Sequence, residues 1–299
     1  MTEAEFIAAL RRLPLHRGAH GLADDTATLG PYTLTTDTLV EGVHFLPTDP
    51  PDDVAWKLVA TNLSDLAAKG ATPEGVLLNH PLTDDAWDRA FLAGFAAALA
   101  ALDCRLLGGD TISLPPGAPR VITLTAIGVD AIAPPRSGAQ AGDTLWVTGT
   151  IGDAGAGLAI ARGTEGPANL LAAYRRPHPR IAEGKLLAPQ VHAMMDVSDG
   201  LLIDAARMAV ASGLAVTIDL ARVPLSAAYR AFAGDDALPA ATAGDDYQLL
   251  FALAPDERPA APATRIGAFA DGAGLSLTNG DAPVPLPKTL GFEHQACLR

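Results

Sequence analysis

Thr35-Thr36-Asp37-Thr38-Leu39-Val40-Glu41-Gly42-Val43-His44-Phe45, preceded by Tyr32-Thr33-Leu34, is the stretch from which the rest of the chain can be read. The β-rich run Tyr32–Thr36 suits a pleated, half-buried strand. That strand is expected to end there and deliver polar side chains to a site. Asp37, Glu41 and His44 fall within eight residues, and Gly42 frees the backbone between them.

Outward from this stretch, acidic residues recur at the borders of apolar segments. Asp24-Asp25 lies upstream; Asp65, Asp110 and the pair Asp196/Asp199 lie downstream. Asp65 falls among apolar neighbours on an expected helix, an uncommon place for a carboxylate unless it is paired. The expectation is that these carboxylates converge, hold Mg²⁺ and, through it, the phosphates of ATP.

The bulk of the sequence sets limits. At 299 residues with 49% apolar content, two domains with sizeable cores are expected. No apolar run reaches the roughly 18 residues that span a bilayer, and no leader-like start is present, so a soluble cytoplasmic protein is expected. The net charge of −13 argues against a nucleic-acid surface. Cys104 and Cys297 lack spaced partners, which argues against a disulfide framework or a thiolate zinc site.

Along the chain, Thr2 to Arg12 reads as a helix with Thr2 and Glu5 forming a capping box. A loop over 18–30 surrounds Asp24-Asp25. A helix from Pro50 to about Lys69 places Val54, Leu58, Val59, Leu63 and Leu66 near one face. A strand over 74–79, a helix over 84–102, a strand over 105–107 stopping at Gly108-Gly109-Asp110, and a strand over 120–129 follow. Residues 133–143, with Pro134, Pro135, Gly138 and Gly142, form the expected linker. Beyond it come strands at 144–148, 193–196, 214–220 and 247–253, and helices over 149–162, 177–188 and 201–212. The alternation predicts an α/β (α+β) protein, with domains at 1–135 and 136–299.

The donor types point to a hard cation. Mg²⁺ takes oxygen ligands, usually one or two carboxylates with substrate phosphates. Asp25, Asp37, Asp65 and Asp110 suit such ions around a triphosphate, and two-ion sites serve phosphoryl transfer. Each aspartate alone reads first as a turn-former or cap, a reading that weakens for Asp65 in mid-helix and for Asp37 at a strand end beside threonines. No phosphate-binding Gly-x-x-x-x-Gly-Lys-Ser/Thr loop and no protein-kinase signature occurs. Gly149, Gly152, Gly155 and Gly157 can place a phosphate at a helix N-terminus or simply form a tight turn. In Asp196-Val197-Ser198-Asp199-Gly200, helix capping accounts for one polar residue but not for two aspartates three apart. His44 is open between ligand, substrate contact and core residue; Arg136 can reach a phosphate or be a solvated linker charge.

These segments, taken in order, resemble the thiamine-monophosphate kinase family, in the superfamily of aminoimidazole-ribotide synthetase-like ATP-binding proteins. The matching runs include 21–25, 35–45, 62–68, 108–111, 136–139, 148–158, 196–202, 243–249 and 291–294, nearly the whole chain. Val40-Glu41-Gly42-Val43-His44-Phe45 and Asp196-Val197-Ser198-Asp199-Gly200 are specific; the glycine loops are not. The resemblance implies ATP-dependent phosphorylation of thiamine monophosphate to thiamine diphosphate. It implies Mg²⁺ ligation by Asp25, Thr35, Thr36, Asp37, Asp65, Asp110 and Asp196, with Asp199 holding a further ion. It implies ATP contacts from Gly109, Asp110, Arg136 and Ser198, and thiamine phosphate contacts from His44, Asp245 and Phe292. It implies a two-domain fold whose N-terminal mixed sheet pairs across a homodimer and whose C-terminal α/β domain closes over the nucleotide.

The chain departs from the family pattern at Ala23, Thr35, Asp245 and Gln248, and Lys69, expected at the surface, stands where methionine is common. A phosphate monoester acceptor has a second pKa near about 6, so it is already a nucleophile and needs no dedicated base. Catalysis then reduces to positioning and charge neutralisation, with direct in-line transfer expected. Other superfamily chemistries fit less well: no cysteine precedes Cys104, and Cys297 is followed by Leu298-Arg299.

Overall fold

The computed structural model describes residues 2–293, apart from the side chains of residues 3 and 4; His294 and Cys297 lie outside the described residues. The capping box at Thr2 and Glu5 starts α1 (Glu3–Leu10) as expected. The expected loop around the acidic pair instead contains a 3-10 turn and β1 (Ala27–Leu29).

β2 (Tyr32–Val40) runs four residues past Thr36, so Asp37 is in mid-strand and not at a strand end. Its alternating Thr33, Thr35 and Leu39 are buried, which the half-buried strand pattern requires. α2 (Pro51–Ala68) begins with proline in its first turn and ends where Gly70 takes a φ of +64°. β3 (Thr72–Leu82), α3 (Asp85–Ala101, capped by Asp84), β4 (Leu106–Ser113) and β5 (Val121–Val129) complete this half. β4 continues through Gly108-Gly109 where a stop was expected. A Cβ on Gly109 would lie 1.8 Å from the Leu78 carbonyl oxygen, so glycine there permits close strand pairing.

The sheet order is β1-β2-β5-β3-β4, with β3 and β4 parallel across the α3 crossover and the other pairs antiparallel. α2 and α3 cover one face, over Leu39, Val76, Ile122, Leu124 and Ala126. The other face is open: Tyr32, Leu77 and Val121, together with Leu107 and Ile112 on edge strand β4, are exposed.

The second half carries β6 (Thr144–Thr148), α4 (Asp153–Ala161), α5 (Ala168–Arg175), α6 (Ile181–Leu187), β7 (Ala193–Asp196), α7 (Leu201–Ser212) and β8 (Ala215–Asp219). It continues with α8 (Ala227–Ala233), α9 (Ala237–Thr242), β9 (Leu249–Leu253), β10 (Ala263–Ala270), β11 (Gly274–Asn279) and β12 (Ala282–Val284). The sheet order is β12-β11-β8-β10-β6-β9-β7, mixed because β11 and β8 run parallel. One face packs on α7 through Leu201, Ala205 and Met208; the other packs Met194, Leu249 and Phe251 against Leu187 and the end of α2 at Ala67 and Ala68.

α2 therefore belongs to both cores. Its N-terminal three-quarters packs on the first sheet, its last turn on the second. Gly184 lets α6 approach so closely that a Cβ there would lie 2.0 Å from the Ala67 carbonyl oxygen. Among the described residues no helix is long and apolar enough to cross a membrane.

Candidate active site

β1 pairs with β2 only over Tyr32–Leu34. From Thr35 onward one edge of β2 is unpaired by strand, and this edge lines a cleft of about 830 Å³ between the two halves. The Asp37 amide, left without a strand partner on that edge, donates to Asn62 Oδ1 at 3.1 Å. The cleft is also lined by Asp65 from α2, Asp196 from β7, and Ser198, Asp199, Asp245 and Tyr247 from the loops that follow β7 and α9.

At the floor, carboxylate oxygens of Asp25, Asp65 and Asp196 lie within 4.8 Å of one another. They come from a loop, a helix and a strand in both halves of the chain. Thr35 Oγ1 donates to Asp65 Oδ2. Ser64 Oγ, fully buried, donates to Asp196 Oδ2 at 2.6 Å. Burial pushes the Asp196 carboxyl up to about 8, reinforced by the charge of Asp25 and opposed by the Ser64 bond. Burial, then Asp37, Asp196 and Asp25, push Asp65 well above the usual carboxylate range. Asp37 rises to about 6, from burial and then Asp25 and Asp199. These acids resist ionising together, which is the condition a cation among them would relieve.

Asp25 differs. Burial raises its pKa, but Lys69 and Arg136 hold it below the usual value. Arg136 Nη2 sits on Asp25 Oδ1, while buried Asp25 Oδ2 accepts no hydrogen bond and has the Lys69 ammonium at 3.4 Å. The donor set is all oxygen, as a hard divalent cation requires, and three of its carboxylates offer oxygens within 4.8 Å of one another, so these residues fit Mg²⁺.

The remaining expected residues divide. Asp199 lines the cleft, but Arg207 Nη1 donates to its Oδ2 at 2.5 Å. The Thr36 hydroxyl faces the sheet, donating to the Leu124 carbonyl at 3.1 Å. Arg136 sits on Asp25 instead of standing in a solvated linker. Gly109 and Asp110 lie on exposed edge strand β4 and do not line the cleft. The register places Asp37, Leu124, Leu78 and Gly109 in one row across four strands, so β4 is about 14 Å from β2 at normal strand spacing. Asp110 is thus not brought to the other carboxylates within this chain.

At the outer wall, His44 Nδ1 accepts from the Val40 amide at 3.0 Å, which orients its ring along the cleft. Asp245 adopts φ +71° and accepts from Lys57 Nζ at 2.7 Å and Tyr247 Oη at 3.1 Å. Burial and Asp245 keep the Tyr247 phenol well above its usual pKa, so it remains a donor. Phe292 closes this end, its amide donating to the Asp199 carbonyl at 2.9 Å. Gln248 is turned away, bonded to Thr148 and Arg180.

Several expectations are corrected by neighbours distant in sequence. Glu41, to which the sequence assigns no role, is tied to Arg120: its Oε2 accepts from the Arg120 amide and Nη1 at 3.1 and 3.0 Å. The N-terminus of α4 is taken by the Asp246 carboxylate, which accepts from the Gly152 and Ala154 amides at 2.7 and 3.3 Å. Neither Ser198 nor Asp199 caps α7; Asp204, inside the helix, accepts from the Asp199 and Gly200 amides. Lys69 is not at the surface but 1% exposed. Sequence reading missed Ser64, Lys57, Tyr247 and cleft-lining Arg162. Only Ser64 carried a signal, its place beside Asp65.

Two α/β halves meeting over a shared carboxylate floor define a protein of the AIR synthase related class. Residues 23–129 match the family described as AIR synthase related protein, N-terminal domain, and residues 140–268 its C-terminal domain. The chain belongs to the thiamine-monophosphate kinase family. It is 39% identical to the thiamine-monophosphate kinase of Caulobacter vibrioides, over 98% of this chain and 91% of that one. It is 37% identical to the Escherichia coli K12 thiamine-monophosphate kinase, over 92% of each. The solved structure of AaThiL complexed with AMPPCP and TMP superposes with a TM-score of 0.86 at 30% identity, covering 97% of this chain and 96% of that one.

Proposed function

We infer that this chain is a thiamine-phosphate kinase, transferring the γ-phosphoryl group of ATP to thiamine monophosphate to give thiamine diphosphate and ADP. The observation that carries this reading is the convergence of Asp25, Asp65 and Asp196 within 4.8 Å at the floor of a cleft whose outer wall bears His44, Asp245 and Phe292. One end suits a polyphosphate with its cations, the other an acceptor with an aromatic, positively charged ring.

Asp25, Thr35, Asp37, Asp65 and Asp196 would hold Mg²⁺, with Thr36 and Asp199 at its margin. Mg²⁺ supplies charge neutralisation of the phosphoryl oxygens. Thr35 and Ser64 fix the rotamers of Asp65 and Asp196 by donating to them. Ser198 and Arg136 are assigned to the nucleotide, a role for which Arg136 must share its guanidinium with Asp25. His44, Asp245 and Phe292 are assigned to thiamine phosphate; the Lys57–Asp245 pair and the Tyr247 hydroxyl set the direction of the Asp245 carboxylate. No base–nucleophile pair is needed, because the acceptor phosphate is itself anionic near neutral pH. Transfer is then in line and direct.

We place a homodimer contact on the open face of the first sheet. Leu77, Leu107, Ile112 and Val121 make it apolar, and β4 presents an unpaired edge. Gly109 and Asp110 would serve ATP only in such a pair, since their own cleft lies three strands away. The division between domains is placed at residues 135 and 136, in the segment without helix or strand that joins the sheets. A cytoplasmic setting suits an enzyme that consumes ATP.

The test is direct. Protein, MgATP and thiamine monophosphate are expected to yield thiamine diphosphate and ADP in equal amounts, with no phosphoryl group retained on the protein after incubation with labelled ATP. Tight ATP binding without product would replace this reading with that of a nucleotide-binding scaffold; a trapped phosphoryl-protein would overturn direct transfer.

A further inference from the structure

Lys69 is the last-turn cap of α2, and its side chain is almost wholly buried. Its ammonium faces four oxygens: Asp24 Oδ1 at 2.5 Å, the Pro134 carbonyl at 3.1 Å, the Met194 carbonyl at 3.2 Å and Asp25 Oδ2 at 3.4 Å. These four come from the loop before β1, the linker, and the strand that carries Asp196 two residues later. The backbone beneath is tightly held. Gly70 takes the left-handed conformation, and a Cβ there would lie 2.5 Å from that of Ala188. The Lys69 carbonyl accepts from the Ala133 amide at 3.0 Å.

Lysine is rarely buried unless its charge is matched, and an unmatched one is strongly destabilising. Here two carboxylates and two carbonyls surround the ammonium. Such an all-oxygen cage is what a hard cation selects. Arg136 compensates Asp25 from the other side, at Oδ1. Lys69 makes the one ion-pair contact to Asp24 among the described residues, with the charge of Arg136 acting on it from further off.

We propose that Lys69 is a tethered cation of this centre: its ammonium fills a cation position against Asp24 and Asp25, and by that contact positions Asp25 against Asp65 and Asp196. It is a positioning residue, acting through Asp25. Lys69→Met keeps the length of the stem and removes the charge, leaving the oxygen cage in need of a cation from solution. The proposal does not rest on the kinase reading, and its test reads stability and ion selectivity instead of turnover.

Thermal unfolding of wild type and Lys69→Met is compared in choline chloride, potassium chloride, ammonium chloride and magnesium chloride at equal ionic strength, without nucleotide. The variant is expected to lose roughly 6 °C or more in choline chloride. Most of that deficit relative to wild type should vanish in one of the other salts. Recovery in potassium or ammonium assigns a monovalent site; recovery only in magnesium assigns a divalent one. A deficit equal in all four salts, or no deficit, overturns the proposal. Should Lys69→Met fail to fold in every salt, Lys69→Met/Asp24→Asn decides. Refolding of that double variant shows that charge compensation was the need; continued failure shows that stem packing was, and overturns the proposal.

Discussion

The carboxylates of the cleft fall into two groups that the fold treats oppositely. Asp25, Asp199 and Asp245 each carry a protein cation: Lys69 with Arg136, Arg207, and Lys57 respectively. Asp37, Asp65 and Asp196 have no lysine or arginine ion pair among the described residues, and the charges that bear on them first are those of other aspartates: Asp25 and Asp199 on Asp37, Asp37 and Asp196 on Asp65, Asp25 on Asp196. All three are raised above the ordinary carboxylate range, first by burial and then by repulsion from neighbouring aspartates, Asp25 among them. The first group is neutralised by the chain and so is fixed in place whatever the solution contains. The second remains a deficit of positive charge at the centre. A fold that pairs some of these carboxylates with its own cations and leaves Asp37, Asp65 and Asp196 without one reserves the unpaired ones for an exchangeable cation and for the anions that come with it.

The contrast can be broken most sharply at the centre. Asp37→Ala removes a carboxylate that no protein cation satisfies. Turnover is expected to fall by about 10³-fold or more, equivalent to roughly 4 kcal/mol of lost transition-state stabilisation. Steady-state rates over a Mg²⁺ titration check this, and full activity at low Mg²⁺ would place the centre elsewhere.

A smaller effect separates burial from catalysis. Asp246, outside the metal centre, is pushed up to about 8, chiefly by burial and against two amide hydrogen bonds. Its folded pKa lies above its unfolded one, so between about pH 4 and pH 8 the native state holds the extra proton. Its contribution to stability is therefore fully present at low pH and is lost as pH rises through about 8. In Mg²⁺-free buffer Asp246→Asn should flatten the decline in denaturation midpoint over that window; an unchanged pH profile would mean that Asp246 ionises freely in the fold.

The smallest effect tests the margin. Glu41 holds Arg120, which also reaches Asp84 and stacks over the Trp87 ring at 4.4 Å. Glu41→Gln is expected to cost about 1 kcal/mol or less in chemical denaturation and to leave turnover unchanged. A large loss of activity would move Glu41 from the hairpin's support into the site.

Much of this was legible in the residue order. β6, β7 and α7 begin and end where the sequence pattern puts them, because apolar runs there are bounded by glycine and polar residues. Asp25, Asp65 and Asp196 could be marked as carboxylates beside apolar segments before any geometry was known. Short elements with weak patterning, α5, α8, α9 and β10 to β12, were not. Nor was the extent of β4, since Gly108-Gly109 reads as a break until the Leu78 backbone beside it explains why a side chain is excluded.

By itself, then, the sequence determined the two-domain α/β plan and the types of group the centre would use, because hydrophobic period and local carboxylate placement are properties of neighbours along the chain. Only the tertiary structure decided which aspartates meet, which are already paired, and that Asp110 lies about three strand spacings, roughly 14 Å, from Asp37. It alone buried Lys69 against Asp24 and Asp25, and gave the α4 N-terminus to Asp246. Charge pairing and desolvation act through space, between residues that can be more than a hundred positions apart, and so they appear only when the chain has folded.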